Sequence, residues 1–264
     1  ADGGHYVPTT GQSAQTACAA GTYQPSAGQA SCLDADPGHY VDSNGSASQT
    51  ACTAGTYQNS TGQAACTDAS AGYYVANAGS TNETVCLAGT YQPSTGQTSC
   101  TDASAGHYVP TTGQSAQTAC AAGTYQPSTG QASCFDADAG QYVPAAGLHY
   151  QAACAPGTYQ PYTGQSACLD ADAGHYVDSY AQASQIPCPA GTYNPDTGSS
   201  DASSCLDADA GHYVASTGST SQTACAAGTS QPSTGQSACL DADPGHYVDS
   251  TAATSQSACP AGTY

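Results

Sequence analysis

Apolar residues in this chain never recur at the three-to-four spacing that lines one face of a helix. They come instead in brief alternations. "TYQ" at 22–24 and "HYVP" at 107–110 set Tyr or Val among polar residues, as a half-buried strand does. Between them lie polar turns such as "PSTG" and "PTTG", with Pro early and Gly late, the order a β-turn favours. Most Tyr residues follow a Gly two positions ahead, in "GTY" or "GHY", which predicts a close backbone approach or a positive φ at that Gly. The pattern predicts short strands joined by tight turns, with little or no helix.

The alternations also recur at a fixed period. Successive cysteines are separated by 14 and 20 residues in turn, so the unit is 34 residues. The exception is Cys188 to Cys205, separated by 17, where "TGSSDASSC" carries three more residues than "TGQASC". The repeats are 18–51, 52–85, 86–119, 120–153, 154–187, 188–224 (with the insertion) and 225–258. Residues 1–17 are the second half of a truncated repeat, and 259–264 start the next one. The expectation is a window on a longer array. Each repeat is itself a doublet, because Gly21 and Tyr23 recur 17 residues on as Gly38 and Tyr40.

The offset bears on cysteine pairing. Cys18 and Cys32 shifted by 17 fall on Ala35 and Gln49, and every other second half but one repeats Ala with Gln. The variant is Ala69 with Glu83. Two cysteines lost as a set point to partners: Cys18–Cys32, Cys52–Cys66, Cys86–Cys100, Cys120–Cys134, Cys154–Cys168, Cys188–Cys205 and Cys225–Cys239. Cys259 would then pair beyond the window. The rival register, Cys32–Cys52 onward, leaves Cys18 as the orphan.

At "C-x-x-G-T-Y-x-x-x-T-G-x-x-x-C" the chain resembles the cysteine-rich repeats of ephrin-receptor-like extracellular domains. It is also similar to the first module of tumour-necrosis-factor-receptor repeats, which closes a loop of this size around Gly-x-Tyr. The resemblance runs along the whole chain. It implies a small disulfide-rich β fold and the bridge across the first half of each repeat. It departs at the junctions, where the family has C-x-x-C and "CLDADAG" and "QTAC" each keep one cysteine.

Composition narrows the function classes. There is no Lys or Arg, and 19 Asp and Glu give a net charge of −19. Nothing can neutralise phosphate, so nucleic acid and anionic membranes are excluded as partners. There is no Met or Trp and one Phe, too little for a conventional core. Fifteen cysteines at regular spacing fit an oxidising, extracellular or cell-surface setting. No run of 18 apolar residues occurs, so no membrane span is expected. One repeat buries too little to fold alone. Neighbours must stabilise one another in a rod, with Tyr and Val packed at each joint and Tyr rings stacked there.

Three patterns suggest chemistry. Asp-Ala-Asp follows the closing cysteine at Asp34/Asp36, Asp136/Asp138, Asp170/Asp172, Asp207/Asp209 and Asp241/Asp243, and Asp42, Asp178 and Asp249 follow "YV". Calcium takes six to eight hard oxygens, which such carboxylates with turn carbonyls could supply. The competing reading is a solvated acidic loop, favoured by Ser70 and Ser104 in place of the second Asp. His5, His39, His107, His175, His212 and His246 precede Tyr, but Tyr73 and Gln141 take the same slot, which argues against catalysis or metal binding. Sequons stand at Asn44, Asn59 and Asn82, and Ser and Thr crowd the turns, a composition suited to covalent glycans. No nucleophile–base pair or phosphate loop is present, so no enzyme is expected. The reading is a structural subunit of a secreted fibril, sheath or adhesin stalk, partnered by further copies of the same repeat. The alternative is a repeat ectodomain that binds a protein or glycan.

Overall fold

The computed structural model describes residues 1–262; Thr263 and Tyr264, at the end of the 259–264 segment, lie outside the described residues. The chain forms two compact units by contact. One comprises Ala1–Cys120 with Gln126–Cys134, the other Ala121–Tyr125 with the residues from Phe135 onward. Both are built from the same 17-residue coil, as in 18–34 and 35–51.

Every coil is one small hairpin. In 18–34, Thr22–Tyr23 pairs antiparallel with Leu33–Asp34, in the register Tyr23↔Leu33. In 35–51, His39–Tyr40 pairs with Thr50–Ala51, in the register Tyr40↔Thr50. Among the described residues fifteen such two-stranded ladders follow one another. Among the described residues there is no α-helix and one 3-10 turn, Ala202–Ser204.

Backbone hydrogen bonds join each coil to the next. The Gly21 N–H donates to Val41 O at 2.7 Å, Gln24 N–H to Ser46 O at 3.2 Å, and Gly45 N–H back to Cys18 O at 2.8 Å. One coil later the same positions repeat the set: Gly38 to Gln58 O at 2.7 Å, Val41 to Gln63 O at 3.0 Å, Gly62 to Ala35 O at 2.8 Å. Buried backbone groups need such partners. A side-chain-independent ladder therefore holds each unit together.

The Gly of Gly-x-Tyr serves two demands at once. Gly21 has φ +88, and a Cβ built on it would collide with Gly62 O, two coils ahead. Gly38 and Gly79 repeat the relation, with φ +81 at Gly38. Positive φ and close approach each favour glycine, so contact reaches past the nearest neighbour.

The core is made of small groups in columns. Cys18, Ala35, Cys52, Ala69, Cys86 and Ala103 are fully buried and alternate along one column. The residue after Tyr forms another, in which Gln24, Gln58 and Gln92 alternate with Val41, Val75 and Val109. Each buried Gln amide is satisfied within its own loop. Gln24 Nε2 donates to Ser31 O at 2.8 Å, and Gln24 Oε1 accepts from Ser26 N at 3.1 Å.

Packing at the joints differs in part from the sequence expectation. Val is buried, but Tyr is mostly half-buried and Leu33, Leu169 and Leu206 are exposed. Among the described residues no Tyr ring stacks on another. The ring pairs among the described residues are Tyr125–Phe135, 6.1 Å between centroids, and His149–Tyr150, 5.2 Å. The cause is the hairpin register, which gives each strand Tyr a cross-strand partner other than Tyr, such as Leu33 for Tyr23, Thr50 for Tyr40, Phe135 for Tyr125, Ala152 for Tyr142 and Ile186 for Tyr176.

The three-residue insertion is absorbed locally. Asp201 caps the Ala202–Ser204 turn, and its carboxylate accepts from Ser203 N at 2.8 Å and from the Ser203 hydroxyl. Beyond it the ladder resumes, with Gly191 N–H donating to Val214 O at 2.8 Å. The buried amide adapts to the altered loop. Asn194 replaces Gln, and its Nδ2 donates to Ser199 Oγ at 2.8 Å and His175 O at 3.0 Å.

Candidate functional site

The chemistry-bearing residues serve mainly to close coils. In 18–34 the closure is a disulfide, Cys18–Cys32, with a Cα–Cα distance of 5.7 Å. The same bridge recurs as Cys52–Cys66, Cys86–Cys100, Cys120–Cys134, Cys154–Cys168, Cys188–Cys205 and Cys225–Cys239. Cys259 is half-buried and carries no disulfide among the described residues. The first cysteine of each pair is fully buried, and the second lies nearer the surface.

In 35–51, where both cysteines are missing, a hydrogen-bonded clamp stands in their place. The Asp36 N–H donates to Gln49 Oε1 at 2.7 Å, and Gln49 Nε2 donates to Asp36 Oδ2 at 2.6 Å. The two-pronged clamp recurs at Asp2/Gln15, Asp138/Gln151, Asp172/Gln185, Asp209/Gln222 and Asp243/Gln256. Ser70/Glu83 and Ser104/Gln117 keep only the backbone prong, at 2.6 and 2.7 Å. The Ser70/Glu83 exception is self-consistent. Glu83 cannot donate, and an Asp opposite it would set two carboxylates face to face, a repulsive arrangement.

The second Asp of each Asp-Ala-Asp thus has a structural partner. The first, as in Asp34, ends the hairpin and lies beside the turn glycine of a later coil, Gly62. Asp42 and Asp178 accept from the hydroxyls of Ser43 and Ser179 at 3.0 and 2.9 Å. Among the described residues, no group of three or more His, Cys, Asp or Glu is placed to hold a metal ion.

Residues 4–52 fit the family described as tyrosine-protein kinase ephrin type A/B receptor-like. The chain is similar to ephrin-receptor-like repeats. The matched stretch spans the stapled coil 18–34 with the clamped coils on either side, and the recurring disulfides fit the cysteine-rich repeats of that family. No curated protein matches the chain. The architecture is like that of disulfide-rich repeat ectodomains, and the family matched by residues 4–52 is not an enzyme family. Its disulfides and this similarity point outside the cytosol. No helix of the described residues is long and apolar enough to cross a membrane.

The remaining candidates are distributed over several repeats. The histidines of "GHY" are set one or two repeats apart, and His5, His107, His175 and His212 each place Nδ1 3.2–3.4 Å from the carbonyl two residues back. Asn44, Asn59 and Asn82 are all exposed. Asn44 Oδ1 accepts from Ala20 N at 2.8 Å, and Asn82 Nδ2 donates to Thr81 Oγ1 at 3.1 Å. Shallow grooves recur between a clamped coil and the stapled coil after it. They are lined by Tyr6, Thr16, Ala19 and Cys32, by Tyr74, Thr84, Leu87 and Cys100, and by Tyr213, Thr223, Ala226 and Cys239. Equivalent positions line each, so none offers a unique reaction centre.

Proposed function

We propose that the array is the load-bearing shaft of a secreted fibril, sheath or adhesin stalk. One observation carries the reading: stapled and clamped coils are tied to their neighbours by the same backbone bonds, so one rule of addition makes length. Disulfides limit how far a stapled coil can be drawn out. Clamps give way first and re-form without redox chemistry. The −19 charge keeps neighbouring shafts apart and soluble. Glycans on Asn44, Asn59 and Asn82 and on turn Ser and Thr residues would add to that spacing. Further copies of the repeat along a filament are the partners.

Electron microscopy of the native material tests this reading. Continuous filaments whose length grows with repeat number support it, and isolated cell-surface modules overturn it. Intact mass measures the glycan part separately, since a mass equal to the bare chain removes it.

A further inference from the structure

One repeat breaks the pattern at a position the shaft does not need. Ser230 stands where the other stapled coils carry Tyr23, Tyr57, Tyr91, Tyr125, Tyr159 and Tyr193. The backbone there is unaltered: Ser230 pairs with Leu240 as Tyr23 pairs with Leu33. The missing ring leaves a cleft of about 440 Å³ lined by Ser230, Pro232, Leu240, Asp243, Thr254 and Gln256. Leu240 is 56% exposed, against 47% for Leu33, Leu169 and Leu206. In the equivalent place the Tyr159 ring is half-buried, and burial first, then the Asp172 carboxylate, push its phenol above the ordinary value. Asp172 corresponds to Asp243. Six repeats therefore show that a phenol ring fits this place, and in four of them, those of Tyr23, Tyr125, Tyr159 and Tyr193, an Asp stands where Asp243 does: Asp36, Asp138, Asp172 and Asp209.

The same chain carries a spare ring. Tyr162 stands where other stapled coils have Ser26, Ser60, Ser94, Ser128 and Ser233. It is 67% exposed. Its backbone is held as in those coils, Tyr162 N donating to Gln160 Oε1 at 3.2 Å, as Ser128 N donates to Gln126 Oε1 at 3.1 Å. Three coils separate Tyr162 from the coil of Ser230. At about 5 Å per hydrogen-bonded step, the ring cannot reach its own cleft. Both residues lie on stapled coils, so a copy displaced by two repeats brings knob and hole level while stapled coils stay beside stapled coils. Tyr180, equally exposed, lies on a clamped coil and would break that match.

We propose that the Ser230 cleft receives the Tyr162 phenol ring of a second copy of this chain. Knob and hole are different surfaces, so the contact is heterologous and adds copies in a row rather than closing a dimer. The inference rests on the self-assembly reading for the source of the ring; the fit of a phenol to the cleft stands without it.

The test uses the full chain at about 0.15 M ionic strength, where charge repulsion is screened beyond roughly 8 Å. Ser230→Tyr and Tyr162→Ser each restore the repeat consensus, so both variants should fold. Sedimentation velocity should show concentration-dependent association of the wild type, weakened at least tenfold by either variant. The double variant should lose no more than the singles, because both act on one contact. Tyr180→Thr should leave association unchanged. p-Cresol should shift the Ser230 and Leu240 resonances in the wild type and not in Ser230→Tyr. A wild type monomeric at every concentration, or variants that associate like it, overturns the contact. If filaments persist in all variants under the electron microscope, the contact fails while the shaft reading stands.

Discussion

Coils 18–34 and 35–51 follow one backbone path with different chemistry. Each donates from its Gly to the next coil at 2.7 Å. The first is closed by Cys18–Cys32 and lined by the buried Gln24. The second is closed by Asp36 and Gln49 and lined by the buried Val41. The path is therefore set by the shared features, the inter-coil ladder and the positive-φ glycines. The closure is interchangeable, but its consequences differ. A disulfide also restricts the unfolded chain, whereas the clamp exists only when the coil is folded.

The largest test asks whether the shared part is truly shared. Gly72 lies in a clamped coil and Gly89 in a stapled one, and a Cβ on either would collide with the carbonyl of Gly113 or Gly130, at φ +83 and +88. Each Gly→Ala change should cost about 3–5 kcal/mol, combining overpacking with left-handed strain. Denaturant unfolding followed by hydrogen exchange would measure both. Costs differing by more than about 2 kcal/mol would mean that the two coils do not share a path.

Next comes exchange of one closure for the other. Cys52→Ala with Cys66→Ala should lose about 3 kcal/mol, the usual value for a loop of this size. Cys52→Ala with Thr53→Asp and Cys66→Gln writes a clamp into the same coil. It should recover about 1–2 kcal/mol through two charge-assisted or backbone hydrogen bonds. Thermal melts under oxidising conditions compare the three chains. A triple variant no better than the double would show that stapled coils cannot accept a clamp.

Much of this arrangement is legible from residues. The period, the doublet, the short strands and the double role of Gly in Gly-x-Tyr follow from spacing and turn chemistry. The paired replacement of Cys by Ala and Gln was visible at Ala35 and Gln49. What replaced the bond was not. Asp36 invites a reading as a calcium ligand or a solvated charge, and its contact 13 residues on exists only in the hairpin register. A signal was present: Ser70, which lacks the carboxylate, is the one that meets Glu83. Gln24 and its equivalents were missed because buried amides run against expectation. Their strict alternation with Val was the available clue. The outward Leu was hidden too, since strands of two residues leave too little pattern to tell inner from outer faces.

The clamps themselves differ in strength, and that gives a smaller effect. Gln49 holds both the backbone and the carboxylate of Asp36, whereas Gln117 holds only the Ser104 N–H. Gln49→Ala should cost about 1–2 kcal/mol and Gln117→Ala about half that. Amide exchange at Asp36 and Ser104 should quicken in the same order. Equal effects would mean that the carboxylate prong contributes nothing.

The smallest effect belongs to the stapled coil that carries the insertion. The Asp201 carboxyl lies below the ordinary carboxylate value, first because the Ser203 hydroxyl donates to it and second because the Ser203 N–H does. A carboxyl lowered in the folded state stabilises above its unfolded value, near about 3.9, and that support is lost as pH falls through the folded value. Acid should therefore loosen the Ala202–Ser204 turn at a pH below the usual Asp range. Cys188–Cys205 remains closed throughout, so the rest of the coil should not respond. The Ser203 amide resonance, followed through an acid titration, should move with a midpoint below 3.9 in the wild type and lose that step in Asp201→Asn. A midpoint at or above the ordinary value would show that the cap does not hold the insertion, leaving the disulfide alone to restrain it.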